Sequence, residues 1–409
     1  HVSMLRGPLR SAALRQAATE LGRLPEFVEA RRLCATSDVV GALRQLERAS
    51  EVMQHVPVPA MQVVAQGALT QALREAGLLQ REAGVWKRLL ATDLDPTMRL
   101  HALSGSTACA LHRGHVDDAL SLCETASSLC APRPDALRWE ATFGVHHALA
   151  LGRTPDVAVG TLEALLSRIE LHDAGAAKDD DEASAIAAAA SSARLLLGDQ
   201  LASLGRGGEA RELWERTFAA EEVSPEQEAA AESAHDRVLR AVAARGRLGR
   251  LAVGAGELDE ADVQLKAALK LCEVHLPADA GNEHPLLHHT IGELAACYAA
   301  KEEPIAAEGL YRTAVDGLLG GAGGRARTLV HAQLVSGAIE SFAAMLSNLE
   351  WNDKPRVAEA ATLRAQSAAI RGEYAEAFPE DEAAAAGTGA SEPWLDLSLG
   401  DDWLGASSR

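Results

Sequence analysis

Three segments in the C-terminal half repeat one pattern, and that repetition constrains the fold more than any other feature. The segments are LLLGDQLASLGRGGEARELWERT (Leu197, Gly198, Leu201, Gly205, Ala210, Trp214), RLGRLAVGAGELDEADVQLKAAL (Leu248, Gly249, Ala252, Gly256, Ala261, Leu265, Ala268) and ELAACYAAKEEPIAAEGLYRTAV (Leu294, Ala295, Tyr298, Glu302, Ala307, Tyr311, Ala314). Each has a large apolar residue followed by a small one, another apolar residue a turn later, a break, and then a small residue followed by a bulky one. Two antiparallel helices that meet where side chains are small read this way. A fixed period of this kind marks an array whose units bury their apolar faces only against their neighbours.

The pattern resembles the tetratricopeptide (TPR) motif, whose signature runs Trp, Leu-Gly, Tyr, Ala, Phe, Ala. The third window, with HPLL before it, is similar to the longer repeats of kinesin light chains. Weaker copies carry Ala42 and Leu46, Ala83 and Leu90, Ala119 and Cys123, a poor copy from Phe143 to Leu165, and Ala360 and Arg364 after Trp351. The expected fold is therefore all-α, a TPR-like α-solenoid of about eight antiparallel helix hairpins spaced 36 to 53 residues apart. The close helix contacts are expected at Gly198 and Ala210, Gly249 and Ala261, and Ala295 and Ala307. Most signature aromatics are replaced by Ala or Leu, so another alanine-rich helical-repeat family stays open as an alternative.

Punctuation divides the chain in the same places. Pro57, Pro59, Pro96, Pro132, Pro134, Pro225, Pro277 and Pro285 fall between expected hairpins, where a missing N–H costs least. Residues 1–22 form a basic segment or first helix, 23–372 the array with an acidic insertion at 172–184, and 373–409 an acidic tail containing Trp and Leu.

Composition narrows the function classes. A net charge of −19 argues against a surface devoted to phosphate backbone, so direct nucleic-acid binding is not expected. The longest stretch free of Asp, Glu, Lys and Arg, Val52 to Leu73, contains two prolines, four glutamines and a histidine, and no membrane span is expected. Peripheral attachment to a membrane complex remains compatible with this. The cysteines Cys34, Cys109, Cys123, Cys130, Cys272 and Cys297 form no CxxC pair and read as buried thiols in a reducing compartment.

Residues 1–50 hold eight arginines against five acids, and HVSMLRGPLRSAALRQAA carries three arginines before the first acid, Glu20. That composition is like the remnant of an organellar transit peptide, giving a mitochondrial expectation.

Chemistry finds little purchase. No HExxH, phosphate loop, GxSxG or glycine-rich dinucleotide turn is present. Neither a catalytic residue nor a cofactor is expected. His284, His288 and His289 have ligand-like types but read as a His-Pro turn entering a helix. His112, His115, Asp117 and Asp118 read as a hairpin turn at Gly114 with Asp117 or Asp118 capping the next helix. The run Asp179, Asp180, Asp181, Glu182 lacks the alternating spacing and glycine of a calcium loop.

In the tail, SEPWLDLSLGDDWL sets two tryptophans and four leucines among acids behind an Ala/Gly-rich linker. It is too short to build a core, so Trp394, Leu397 and Trp403 are expected in apolar pockets of a partner, with Asp396, Asp401 and Asp402 at the rim. Folding back onto the chain's own array is the alternative. The function expected is a non-catalytic scaffold for other protein subunits in an organellar assembly such as a respiratory or ATP synthase complex. A transient peptide-binding adaptor, or a protein-contacting subunit of an organellar ribosome, is the alternative.

Overall fold

The computed structural model describes residues 12–35, 38–56, 58–130, 136–152, 154–171, 180–221, 233–276, 285–319, 329–348, 350–351 and 354–374. Seventeen α-helices occur among them. In chain order they are α1 (Ala12–Leu21), α2 (Pro25–Ala35), α3 (Val39–Gln54), α4 (Pro59–Glu75), α5 (Leu79–Leu90), α6 (Pro96–His112), α7 (Val116–Cys130), α8 (Ala136–Ala150) and α9 (Pro155–Leu171). Then follow α10 (Asp180–Ser203), α11 (Gly207–Glu221), α12 (Ser233–Ala255), α13 (Leu258–His275), α14 (Pro285–Ala300), α15 (Pro304–Leu319), α16 (Leu329–Asn348) and α17 (Val357–Glu373). Two-residue strands, β1 (Glu350–Trp351) and β2 (Lys354–Pro355), pair antiparallel between the last two helices. No described helix is long and apolar enough to cross a membrane.

The chain divides into two compact units at Gln200/Leu201, inside α10. In each, helices pack mainly on their sequence neighbours: α2 on α3, α4 on α5, α6 on α7 and α8 on α9 in the first unit, and α12 on α13, α14 on α15 and α16 on α17 in the second. In the first unit α1 precedes these hairpins and packs on α4, and α10 is followed by α11 through the turn at Gly205.

Helix starts follow local chemistry. Pro25, Pro59, Pro96, Pro155, Pro285 and Pro304 each open a helix, where the absent N–H would have had no intrahelical partner. Asp38 caps α3 by accepting from the Gly41 N–H at 2.8 Å, and Asp95 caps α6 by accepting from Thr97 and Met98. The acidic insertion is shorter than its sequence suggests, because α10 begins at Asp180 and takes Asp180–Ser184 as its first turn.

Five hairpin turns are built identically. Gly77, Gly114, Gly205, Gly256 and Glu302 have φ between 60° and 77°. Each donates its N–H to the carbonyl three residues back, and the following residue donates to the carbonyl five back, at 2.8 to 3.0 Å in the second case. This left-handed closure satisfies the last carbonyls of the first helix. The same following residue (Leu78, His115, Arg206, Glu257, Glu303) then accepts the first bond of the second helix.

Five residues after each turn residue comes the most enclosed position of the second helix: Glu82, Ala119, Ala210, Ala261 and Ala307, all without exposed surface. Alanine there lets the helix axes approach. Glu82 is the exception, and the structure compensates it: its carboxylate accepts from Arg74 Nη2 at 2.6 Å and Nε at 3.1 Å, and from Trp86 Nε1 at 3.1 Å.

With aromatics at 3% of the chain, glycine supplies the sockets for the few bulky side chains. A Cβ on Gly105 would lie 2.2 Å from the Trp86 ring, and one on Gly317 would lie 2.1 Å from the His288 ring. Gly249 makes the same allowance for Leu265 at 2.6 Å.

Candidate interaction surface

Successive hairpins are joined in one manner in both units. Cys109 Sγ donates to the Leu79 carbonyl at 3.5 Å, and Cys297 Sγ donates to the Leu258 carbonyl at 3.6 Å. Each cysteine stands five residues before its own turn residue, and each acceptor is the first residue of the previous second helix. One residue before the turn, Arg113 reaches Gln80 at 2.5 Å and Lys301 reaches Asp259 at 3.2 Å. Equivalent residues make equivalent contacts in the two units, so the array is a structural repeat and not only a succession of helices.

The joint has two sides. On the second helix, the residues four and eleven positions beyond the enclosed one are covered by the next first helix: Trp214 and Glu221, Leu265 and Cys272, Tyr311 and Leu318 are all buried. Glu221 is held there by Arg240 at 2.8 Å. Tyr311 stacks on Phe342 of α16 with centroids 5.4 Å apart, and burial pushes its hydroxyl pKa up to about 12. On the first helices, the other side carries polar and small residues.

No protein-family model matches the chain, and no curated protein matches it in sequence. Among solved structures it is similar to the apo form of the quorum sensor NprR from B. thuringiensis, at 14% identity and TM-score 0.47, over 91% of this chain and 97% of that one. It is also similar to a Rap protein complexed with competence and sporulation factor (11%, TM-score 0.47, 89% and 99% covered). A third likeness is to the TPR-like repeats of a putative kinesin light chain from Podospora anserina (19%, TM-score 0.35, 54% and 95% covered). Identities this low concern the fold alone, and the recurrence of turn and joint within the chain carries the assignment. It is a TPR-like helical-repeat protein.

In the second unit of this TPR-like array, the first-helix surface places Arg250 and Val253 on α12 and His289, Ala296 and Ala299 on α14, all half-buried. Gly337 and Ala344 on α16 are exposed. Arg250 Nη1 donates to Glu293 Oε1 at 2.8 Å, tying α12 to α14, and His289 Nε2 lies 3.6 Å from the same oxygen. A Cβ on Gly246 would lie 3.6 Å from Glu293 Oε2, while Gly292 turns toward Ala314 inside its own hairpin. The cluster carries both signs of charge among small residues, a composition that suits polar contacts with a polypeptide.

The small residues named from the sequence all lie inside the array. Gly198 is buried on α10 and Ala210 on α11; Gly249 faces Leu265, with Ala261 buried in the same hairpin; Ala295 and Ala307 are fully enclosed. In the weak copy at α5, the register is one residue earlier than Ala83 and Leu90. Glu82, Trp86 and Leu89 face the core, while Ala83 and Leu90 are half-buried.

Candidate ligand groups are kept apart. His288 is buried against Gly317 and His289 faces Glu293, while His284 lies outside the described residues. His115, not Asp117 or Asp118, stands at the helix-capping position of α7; the two acids follow in the first turn, and Asp118 Oδ2 approaches His115 Nδ1 at 3.2 Å. An open crevice lies between Gly114–Asp118 and Ala150, Leu151 and Thr154. Asp179 and the side chains of Asp180, Asp181 and Glu182 lie outside the described set. Among the described residues no group of three or more His, Cys, Asp or Glu could hold a metal ion.

The described thiols, Cys109, Cys123, Cys130, Cys272 and Cys297, are buried and in no disulfide. Burial raises Cys123 and Cys272 to about 12 and pushes Cys109 and Cys297 upward as well. A thiol held this far from ionisation is no nucleophile near neutral pH. Trp394, Leu397 and Trp403, and the whole of residues 375–409, lie outside the described residues.

Proposed function

We propose that this TPR-like protein is a non-catalytic protein–protein interaction scaffold that holds a polypeptide segment of another subunit along its first-helix surface. The observation that carries the reading is the repeated joint. Hairpins joined by equivalent contacts carry a surface of small residues around the Arg250–Glu293–His289 cluster. Small side chains allow close approach of a second backbone, and the charged cluster supplies orientation.

The finer reading is a structural or accessory subunit of a large organellar, mitochondrial assembly of the respiratory or ATP synthase kind. Its support is compositional: the arginine-rich residues 1–18 and the acidic net charge, which disfavours an RNA-facing role. A transient adaptor would present the same surface but be occupied only in part.

The experiment is substitution of Ala296→Arg together with Ala344→Arg in the protein expressed in its native source. Native mass spectrometry of the purified assembly then reads stoichiometry. The reading expects a partner at fixed ratio with the unaltered chain and its loss from the variant, with helicity unchanged. Retention of every partner by a folded variant would refute it. Sedimentation of the assembly with an organelle fraction tests the mitochondrial part separately.

A further inference from the structure

In the first unit α3 and α5 are successive second helices, joined on their outer side by an ion pair between Arg81 of α5 and Glu47 of α3. Their registers correspond. Ala42 and Glu82 are the enclosed residues, and each donates its N–H to the carbonyl four back, of Asp38 and Leu78, at 3.0 Å. Leu46 and Trp86, four residues on, are both buried, and Arg48 and Arg88, six residues on, are both exposed. Arg44 and Lys87 are exposed beside them. Among the described residues none of these four cations has a side-chain hydrogen bond or an ion pair. On the second helices of the second unit, by contrast, Arg211, Lys266 and Arg312 each hold a carboxylate. With Glu47 taken by Arg81 and Glu82 buried, the one other acid of α3 and α5 is Glu51.

Apolar residues flank these cations on α3. Val40 and Val52 are 61% and 55% exposed, four residues before Arg44 and four after Arg48. Val40, Arg44, Arg48 and Val52 therefore form one ridge along an i±4 row, about 18 Å long at 1.5 Å per residue. On α5 the Arg88 guanidinium lies back over Gly84, where a Cβ would be 3.6 Å from Nη1. Gly84 is the counterpart of Arg44 in register, so Arg88 and the arginines of α3 present like charges at one level of two neighbouring helices. A carboxylate arriving there meets guanidinium groups with no competing partner.

We propose that this ridge docks an acidic helical segment of another protein, whose carboxylates, one turn apart, meet Arg44 and Arg48 while apolar residues beyond them cover Val40 and Val52. The flank of that helix faces Lys87 and Arg88. The spacing agrees: carboxylates at i and i+4 of a helix are about 6 Å apart along its axis, as Arg44 and Arg48 are on α3. A ridge along an i±4 row also fits the groove of a second helix. Nucleic acid fits less well, because Trp86, the one aromatic of α3 and α5, is buried and leaves no ring for a base to stack on. A lipid surface is served by Trp, Phe and Leu, and this ridge offers two valines. The ridge lies on second helices of the first unit, apart from the first-helix surface of the second unit, and holds or fails independently of it.

Fluorescence anisotropy of the full chain with a labelled alanine-based helical peptide tests this. The probe carries two leucines twelve residues apart, with glutamates four and eight residues after the first. Saturable binding at micromolar concentrations is expected, weakened by added salt and lost when the glutamates are replaced by glutamine. Arg44→Glu with Arg48→Glu should weaken it by about tenfold or more, and Val40→Ser with Val52→Ser by about threefold or more. Arg216→Glu, an exposed cation on α11, should leave it unchanged within about twofold. Circular dichroism checks that each variant keeps its helicity, and Arg44→Gln with Arg48→Gln stands in if the glutamate pair does not fold. Absence of saturable binding, equal binding of the glutamine peptide, or indifference of a folded variant to the loss of both arginines would overturn the proposal. So would tighter binding of a thymidine oligonucleotide or of phosphatidylserine vesicles through the same arginines, which assigns the ridge to nucleic acid or lipid. Self-association of the chain that requires Arg44 and Arg48 would overturn it as well, assigning the ridge to a second copy.

Discussion

Replacing Glu82 with alanine should destabilise the α4–α5 hairpin, although alanine is the residue at the equivalent position of four other hairpins. The buried carboxylate receives Arg74 at two nitrogens and the Trp86 N–H. Its loss strands the indole N–H of a residue 1% exposed, at roughly 1–3 kcal/mol, and leaves Arg74 without its counter-charge. Breaking one side of a buried ion pair costs about 3–5 kcal/mol, but the Arg74 side chain is 20% exposed and recovers part of its hydration. Alanine regains at most about 0.5 kcal/mol in helix propensity. The net expectation is a loss of roughly 2–4 kcal/mol. Glu82→Gln, which keeps an acceptor for Trp86, should lose about half as much. Hydrogen exchange of α4–α6, read beside the α12–α15 amides as an internal reference, measures it. Protection of α4–α6 equal to or above the unaltered chain in Glu82→Ala would refute the reasoning.

Gly317→Ala should cost about 1–3 kcal/mol, because its Cβ meets the buried His288 ring, while Gly309→Ala on the same helix meets nothing within 4 Å and should gain about 0.5–1 kcal/mol; denaturant titration separates them. Glu302→Gly relieves the one positive-φ non-glycine residue among those described and should stabilise the α14–α15 turn by up to about 1 kcal/mol, seen as a raised melting temperature. Cys123 and Cys272 are raised from 9.0 to about 12, so the folded state binds more protons than the unfolded one between those values. Their contribution is complete below pH about 9 and falls by about 1.4 kcal/mol per thiol per pH unit above it, so stability measured from pH 8 to 11 should decline, less so in a Cys123→Ala, Cys272→Ala variant.

The sequence showed the array through its turns. Gly205 and Gly256, each five residues before Ala210 and Ala261, carry both the left-handed turn and the close helix contact in one short string, and Gly114 with Ala119 repeats it. The same string misled at α5. Gly77, Glu82 and Trp86 keep the spacing of Gly205, Ala210 and Trp214, but a carboxylate at the enclosed position conflicts with the hydrophobic pattern, and the register slid to Ala83. Only the distant Arg74 and the socket at Gly105 make Glu82 tolerable. His288 and Gly317 lie 29 residues apart on different helices, so a histidine with ligand-like surroundings in sequence proves to be a packed core side chain. The capping role expected of Asp117 or Asp118 failed because the turn makes the residue after glycine the first acceptor, whatever its side chain.

Site-specific photo-crosslinking in the native source tests the central claim most directly. With the crosslinking residue at Ala296 or Ala344, on first helices, the scaffold account predicts adducts to one defined partner polypeptide, and none from Val274 or Ile305, which are exposed on second helices. Adducts from Val274 or Ile305 alone, or none from any of the four positions in an assembly that still contains the protein, would contradict it.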